Sequence, residues 1–194
     1  KTLSSFAFAL KLRRNIIEQK GYVPRIIYSL PFLSIIDQNG REYEKVLRSS
    51  GISTETGVLL KHHHLTDISY ESKESEFDIK EAKLLIEGWN SEIIVTTFVQ
   101  LFHTLMSNRN STLRKFHRIC GSIILLDEIQ SVPTKYWGLL EELFKELAYE
   151  FGCYIIFITA TDPYIIARDE LVPLVDSENN LKGLITIKDN LSIL

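Results

Sequence analysis

Two adjacent carboxylates that follow an apolar segment are the residues of this sequence best suited to chemistry. In the stretch SIILLDEIQ, which runs from Ser122 to Gln130, four apolar residues lead directly into Asp127 and Glu128. A short apolar run bounded by polar residues is typical of a buried strand. At the end of such a strand, the first acid can hold Mg²⁺ through its water shell, and the second can orient or deprotonate an attacking water. The alternative interpretation is that the pair only caps or begins a surface loop.

The first two residues, Lys1 and Thr2, are candidates for the phosphate-binding partner of these acids. A Lys-Thr pair that opens a helix is what remains of a GxxxxGK[ST] loop cut two residues before its end. In that loop the lysine reaches the β and γ phosphates, the threonine hydroxyl ligates Mg²⁺, and the helix N-terminus attracts the anion. Because the only methionine is Met106, we expect the sequence to be a piece of a longer protein.

Hydroxyl groups and one amide lie at the ends of other apolar runs. In a parallel sheet covered by helices, ligands bind beyond the carboxyl ends of the strands. Thr96, Thr97, Thr159 and Thr161 are therefore expected at the edge of the sheet where a ligand binds. Gln130 can carry the nucleotide state onward by hydrogen bonding. The alternative for each threonine is that its preference for strands alone explains it.

Helical and strand patterns alternate along the chain. The predicted helices are 2–20, 32–50, 79–87, 98–107, 111–120 and 134–151, and the predicted strands are 25–30, 57–64, 92–97, 122–128 and 153–161. The polar stretch from Thr66 to Asp78 is predicted to be a mobile loop. Because the best strands are continuous apolar runs, we predict a doubly wound, mainly parallel α/β sheet.

Composition restricts the class of protein. The chain has 194 residues, of which 45% are hydrophobic and 24% charged, and its net charge is -3, as in an ordinary globular domain. No apolar run approaches the roughly 20 residues that a membrane span needs, and no signal peptide opens the sequence, so a cytoplasmic location is the default expectation. Cys120 and Cys153 lack CxxC spacing, which argues against a disulfide scaffold or a cysteine zinc site.

Three consecutive histidines, His62, His63 and His64, suggest a metal site. On a strand His62 and His64 would share one face while His63 points away, and no acid or cysteine pattern accompanies them. A polar strand end is the main alternative.

Basic residues between two of the predicted strands could contact a nucleic-acid backbone. They are Arg109, Arg114, Lys115 and Arg118. The alternative is that these residues form an ordinary solvated helix face.

Three stretches together resemble a known family. They are VTTFVQLFHTLMSNRNSTLRKFHRICGSIILLDEIQSVP, the earlier IIYSLPFLSIIDQN and the later ITATDP. Their combination resembles the first motor domain of the CRISPR-associated superfamily 2 helicase of type I systems. That helicase is the DNA-translocating component, and it often carries a separate HD nuclease domain. The resemblance extends roughly from Lys1 to Pro163, and the combination is more specific than any single motif.

The resemblance implies a role for particular residues. The phosphate loop would contribute Lys1 and Thr2, without its upstream glycines. The two nucleic-acid motifs correspond to Pro31, Phe32, Ile35 and Gln38, and to Thr96, Thr97 and Gln100. The acidic box corresponds to Asp127, Glu128, Ile129 and Gln130, and the coupling motif to Thr159, Ala160 and Thr161. Asp162 departs from the family, which commonly has an apolar residue there.

The resemblance also implies a fold, cofactors and partners. The chain would be a single N-terminally truncated RecA-like P-loop domain over 1–194, with a motif core at 1–163 and a trailing segment at 164–194. It would bind ATP and Mg²⁺, move on single-stranded DNA, and belong to a protein with a second RecA-like domain and an HD nuclease, recruited by an RNA-guided surveillance complex. The isolated fragment is expected to be inactive. Two alternatives stay open: another superfamily 2 motor of RNA or restriction type, and a non-catalytic truncated binding module.

Overall fold

The computed structural model describes residues 2–62, 85–159, 164–167, 170–173 and 184–187. The chain forms two units. The middle unit is Arg25–Ile119, and the flanking unit combines Lys1–Pro24 with Cys120–Leu194. Each unit is described below by itself.

In the part of the middle unit that the structure describes there are three parallel strands, β1 (Ile26–Leu30), β2 (Leu59–His62) and β3 (Ile93–Thr97). β3 pairs with both of the others. Every residue of β1 and β3 is buried, as expected for apolar runs in a parallel sheet. The long helices among the described residues of this unit are α2 (Leu33–Ser49), α3 (Phe98–Met106) and α4 (Asn110–Ile119).

Helix α2 continues through Asn39 and Gly40, where the sequence pattern predicted a weak point. Packing against β2 explains the glycine. A Cβ atom on Gly40 would lie 2.5 Å from Cδ of Lys61, so the stem of Lys61 occupies the space of a side chain. The ammonium group of Lys61 then pairs with Glu44 at 2.8 Å. The glycine therefore allows α2 and β2 to approach closely.

The flanking unit begins with helix α1 (Thr2–Lys20), which ends where the sequence predicted. Gly21 adopts a left-handed φ of 73° and donates a hydrogen bond to Ile17 O at 3.1 Å, a common way to end a helix. Its other elements are β4 (Ile123–Asp127), α5 (Trp137–Tyr149), β5 (Tyr154–Ile158), β6 (Leu171–Pro173) and β7 (Leu184–Ile187). β4 and β5 are parallel, and α1 packs against β4.

The predicted fold class is confirmed: the chain is a doubly wound, mainly parallel α/β protein of the RecA-like type. Two differences concern the flanking unit. β7 pairs antiparallel with both β5 and β6, which the sequence did not predict. The helix predicted from residue 134 starts with a 3₁₀ turn, Thr134–Tyr136, and becomes α-helical only at Trp137, whose indole nitrogen donates to Val132 O at 2.8 Å.

Some predictions fall on residues outside the described ranges. They include the loop from Thr66 to Asp78 and the first part of the helix predicted at 79–87, of which residues 85–87 are helical. The division into a motif core and a trailing segment stays a prediction. Within the described residues, no helix is both long and apolar enough to cross a membrane.

Candidate functional site

The acid pair lies at the carboxyl end of β4. Asp127 is the last residue of the strand, is only 8% exposed, and pairs in register with Ile158 of β5. Glu128 follows, and its backbone N–H donates to Ile158 O at 2.9 Å, which extends the pairing one residue beyond the strand. The four apolar residues of β4 are therefore the support that brings both acids to the edge of the sheet.

Glu128 has a left-handed backbone, with φ 57° and ψ 42°. For a residue with a Cβ atom this conformation costs about 1–2 kcal/mol. Such residues persist only where the surroundings hold them, and they cluster at functional sites. Here Ser131 N–H donates to Glu128 O at 2.9 Å, and the fully buried Ile129 anchors the turn. The chain therefore bends sharply at the carboxylate and fixes its backbone.

Gln130 connects the acid pair to the end of β5. Its Nε2 donates to the Glu128 carboxylate, and its Oε1 accepts a 3.0 Å hydrogen bond from the hydroxyl of Thr159. Thr159 directly follows β5 and is 1% exposed. An amide has a donor and an acceptor on one side chain, which is what a link between a carboxylate and a hydroxyl requires. The structure thus joins Glu128, Gln130 and Thr159 in one hydrogen-bonded chain, whereas Ala160 and Thr161 lie outside the described residues.

The predicted phosphate-loop pair is described only at its second residue. Lys1 lies outside the described residues, while Thr2 is the first residue of α1 and is half-buried. Ser5 donates to Thr2 O at 3.0 Å. Because α1 packs against β4, the hydroxyl of Thr2 and the carboxylate of Asp127 belong to two contacting elements.

The donor chemistry of these residues fits a magnesium nucleotide. Mg²⁺ prefers oxygen ligands, keeps several waters, and usually takes only one or two protein carboxylates together with phosphate oxygens. The buried Asp127 and the hydroxyl of Thr2 provide such oxygens. Within the described ranges there is no cluster of three or more His, Cys, Asp or Glu residues that could hold a metal on protein side chains alone.

The predicted nucleic-acid residues lie in the middle unit, at the carboxyl ends of its strands. Leu30 ends β1 and pairs in register with Thr97, which ends β3. Pro31 follows Leu30, and Phe32 after it is 59% exposed at the start of α2. Gln38 is exposed on α2, where Ile35 also lies. We call the group formed by Pro31, Phe32, Thr96, Thr97 and Gln100 the candidate nucleic-acid edge; within it Thr96 and Thr97 are only 0% and 5% exposed.

Both threonines of this edge have structural partners. Thr97 is the N-cap of α3, and its hydroxyl accepts the N–H of Gln100 at 3.2 Å. The hydroxyl of Thr96 is fully buried and donates to His62 O at 2.8 Å. The capping role could have been found in the sequence, because Thr-x-x-Gln matches the pattern of a capping box. The Thr96 contact could not, since its acceptor belongs to another strand.

Trp89 is a buried neighbour of both His62 and Lys115, a grouping that the sequence did not single out. The rings of Trp89 and His62 meet edge to face, with centroids 6.1 Å apart, and Lys115 Nζ lies 5.6 Å from the centroid of Trp89. Lys115 is only 6% exposed, and burial lowers its pKa, against an opposing effect of Glu87. Lys115 is therefore not a surface contact for a nucleic-acid backbone. His62 faces a tryptophan, and His63 and His64 lie outside the described residues.

A comparison with known proteins supports the CRISPR-associated relationship that the sequence resemblance indicated. No protein-family model matches the chain. The chain is 30% identical over 184 residues to the CRISPR-associated nuclease/helicase Cas3 of Haloferax volcanii. The match covers 91% of this chain but only 19% of that protein, so the chain spans about a fifth of its relative. This similarity relates the chain to the CRISPR-associated Cas3 proteins.

Proposed function

We propose that this chain is part of the ATP-driven motor of a CRISPR-associated helicase that moves along single-stranded DNA. The observation that supports it most is the hydrogen-bonded chain from Glu128 through Gln130 to Thr159. It joins a carboxylate suited to activating water with the end of the neighbouring strand. The similarity to a nuclease/helicase supports the same class of activity.

In this proposal the residues of the flanking unit bind and hydrolyse ATP. Asp127 and Thr2 would hold Mg²⁺, which would neutralise charge on the phosphates, and Lys1 would contact the β and γ phosphates. Glu128 orients the attacking water and accepts its proton. The bond that Gln130 donates to Glu128 fixes the direction of that carboxylate, and the left-handed turn fixes its backbone.

The same chain of hydrogen bonds couples hydrolysis to movement. Loss of the γ-phosphate changes the charge next to Glu128, and Gln130 transmits the change to Thr159 at the start of the coupling motif. Ala160 and Thr161 complete that motif in the proposal.

The candidate nucleic-acid edge holds the DNA. Phe32 offers an exposed aromatic ring, on which a base can stack regardless of sequence. Thr97 accepts one hydrogen bond as a cap and still has its hydroxyl proton to donate to a phosphate. These contacts are independent of base identity, which suits a translocase.

The partners in the proposal belong to the intact protein. They are a second RecA-like domain that closes over the nucleotide, an HD nuclease, and an RNA-guided surveillance complex that recruits the motor in the cytoplasm. A superfamily 2 motor of RNA or restriction type, or a non-catalytic binding module, are the alternatives. A preference of the ATPase activity for RNA or double-stranded DNA would favour the first alternative, and absence of any ATP binding would favour the second.

The test is the substitution Glu128→Gln in the full-length protein. We expect ATP turnover to be lost while ATP binding is retained, because the amide cannot accept the proton of water. Glu150→Gln is the matched control, since Glu150 is exposed at the end of α5. Steady-state ATPase rates and equilibrium binding of a fluorescent ATP analogue measure the two properties. An unchanged ATPase rate in Glu128→Gln would overturn the assignment.

A further inference from the structure

The Trp89 cluster, formed by Lys115, Trp89 and His62, joins three separate parts of the middle unit. Lys115 belongs to α4, Trp89 lies in the turn after residues 85–87, and His62 ends β2. All three side chains are buried, with exposures of 6%, 0% and 8%. The cluster therefore fixes α4 and this turn against the carboxyl end of β2.

Two unfavourable features coincide in this cluster. Trp89 has a φ of 52°, a conformation that is rare for a bulky side chain. Lys115 places an ammonium group where burial disfavours its charge. The face of the tryptophan and the carboxylate of Glu87 offset that second cost in part. An apolar side chain would pack in the same place without the charge, so packing alone does not explain the lysine.

The cluster is connected to the candidate nucleic-acid edge through His62. His62 pairs in register with Thr96, and its carbonyl oxygen accepts the hydroxyl proton of Thr96 at 2.8 Å. Thr97 comes next in the chain and caps α3. A displacement of His62 thus moves the acceptor that holds Thr96, and with it the first turn of α3.

We propose that Lys115 and Trp89 are positioning residues for nucleic-acid binding, which set the affinity for single-stranded DNA through His62 and Thr96 without touching the DNA. This inference rests on the proposed function, because it assumes that the Thr96–Thr97 end of β3 contacts DNA. In this proposal the buried Lys115 affects the affinity for DNA indirectly, whereas an exposed lysine would do so by contacting the DNA.

The test uses the full-length protein and measures its ATPase rate as a function of the concentration of poly(dT). Lys115→Met keeps the length and apolar stem of the side chain and removes its charge. We expect the poly(dT) concentration for half-maximal stimulation to rise about fivefold, the equivalent of losing one cation–π contact, with the rate at saturating poly(dT) unchanged. Lys115→Arg retains the cation and should lie within about twofold of the wild type.

Lys135→Met is the matched control, because Lys135 also lies over an aromatic ring, 4.8 Å from the centroid of Tyr136, but on an exposed surface of the flanking unit. It should leave the half-maximal concentration unchanged. If Lys115→Met does not fold by circular dichroism, Trp89→Phe takes its place, with the same expected direction and a smaller shift. A half-maximal concentration equal to that of the wild type, in a folded variant, overturns the inference.

The two proposals fail in different ways. If the ATPase rate of the wild-type protein does not change with poly(dT), the assignment of single-stranded DNA as the polymer along which the motor moves is overturned. The positioning role of Lys115 is then overturned with it. A wild-type protein that responds, together with a Lys115→Met variant that loses only thermal stability, overturns the positioning role alone.

Discussion

The hydroxyl of Thr159 donates a 3.0 Å hydrogen bond to the side-chain oxygen of Gln130, although the two residues are 29 positions apart. We expect this bond to stabilise the flanking unit by about 1 kcal/mol, because Thr159 is almost fully buried. A double-mutant cycle with Thr159→Val and Gln130→Ala, measured by urea unfolding of the chain, gives the coupling energy. Thr159→Ser keeps the hydroxyl and is the control. Additive effects of the two substitutions would contradict the contact.

Because Glu128 has a left-handed backbone, we expect glycine at this position to give a more stable protein than alanine. Glu128→Gly should have a free energy of unfolding about 1 kcal/mol higher than Glu128→Ala, because only glycine adopts this conformation without steric cost. Neither variant should hydrolyse ATP in the full-length protein. At Glu150, where φ is -91°, glycine should be no better than alanine. Equal stabilities of the two Glu128 variants would mean that the backbone is not strained.

Gly40 is a helical glycine at which alanine should not be stabilising. An ordinary exchange of glycine for alanine within a helix gains about 0.5–1 kcal/mol. Here the new Cβ atom would meet the stem of Lys61, which pairs with Glu44, so Gly40→Ala should gain nothing or lose stability. In a Lys61→Ala background the same exchange should recover the usual gain. Thermal unfolding of the four proteins in this cycle provides the measurement.

Thr97 should be sensitive to loss of its hydroxyl independently of any DNA contact. Thr97→Val removes the N-cap of α3 and should lower stability by about 1 kcal/mol, whereas Thr97→Ser should be close to the wild type. If Thr97 also contacts DNA, Thr97→Asp should weaken binding while it keeps the cap, because its carboxylate accepts the N–H of Gln100 but has no proton to donate to a phosphate. Chemical denaturation and fluorescence anisotropy with labelled poly(dT) distinguish the two effects.

Lys115 predicts a pH dependence of stability with a definite sign. Burial lowers its pKa in the folded chain below the ordinary value of 10.5, so the unfolded chain binds the proton more tightly. Between the lowered pKa and 10.5, rising pH therefore stabilises the folded chain relative to Lys115→Met. The urea midpoint of the wild type minus that of Lys115→Met should therefore increase from pH 7 to pH 10. A constant difference would contradict the burial of a titrating amine, and Lys115→Arg, which stays protonated, should show no such shift.

Much of the fold follows from local patterns in the sequence. The runs that form β3, β4 and β5 are apolar except for Thr96, Thr97 and Asp127 at the ends of β3 and β4, and a strand that is buried on both faces needs no alternation to be recognised. The end of α1 was also predicted, because Gly21 supplies the left-handed residue that stops a helix. These features depend on near neighbours in the chain, which a sequence shows directly.

The position of the acid pair after β4 was likewise determined by the sequence, since an apolar run that ends in Asp127 and Glu128 must present them at the end of its strand. The pairing of Gln130 with Thr159 was decided only in the tertiary structure, because it depends on β5 lying beside β4 in register. Lys115 is a second feature that the sequence did not determine, because its position on α4 predicts only one of several solvated cations. Only the folding of Trp89 against that helix makes it a buried one, because burial is a property of what packs on a residue and not of its neighbours in sequence.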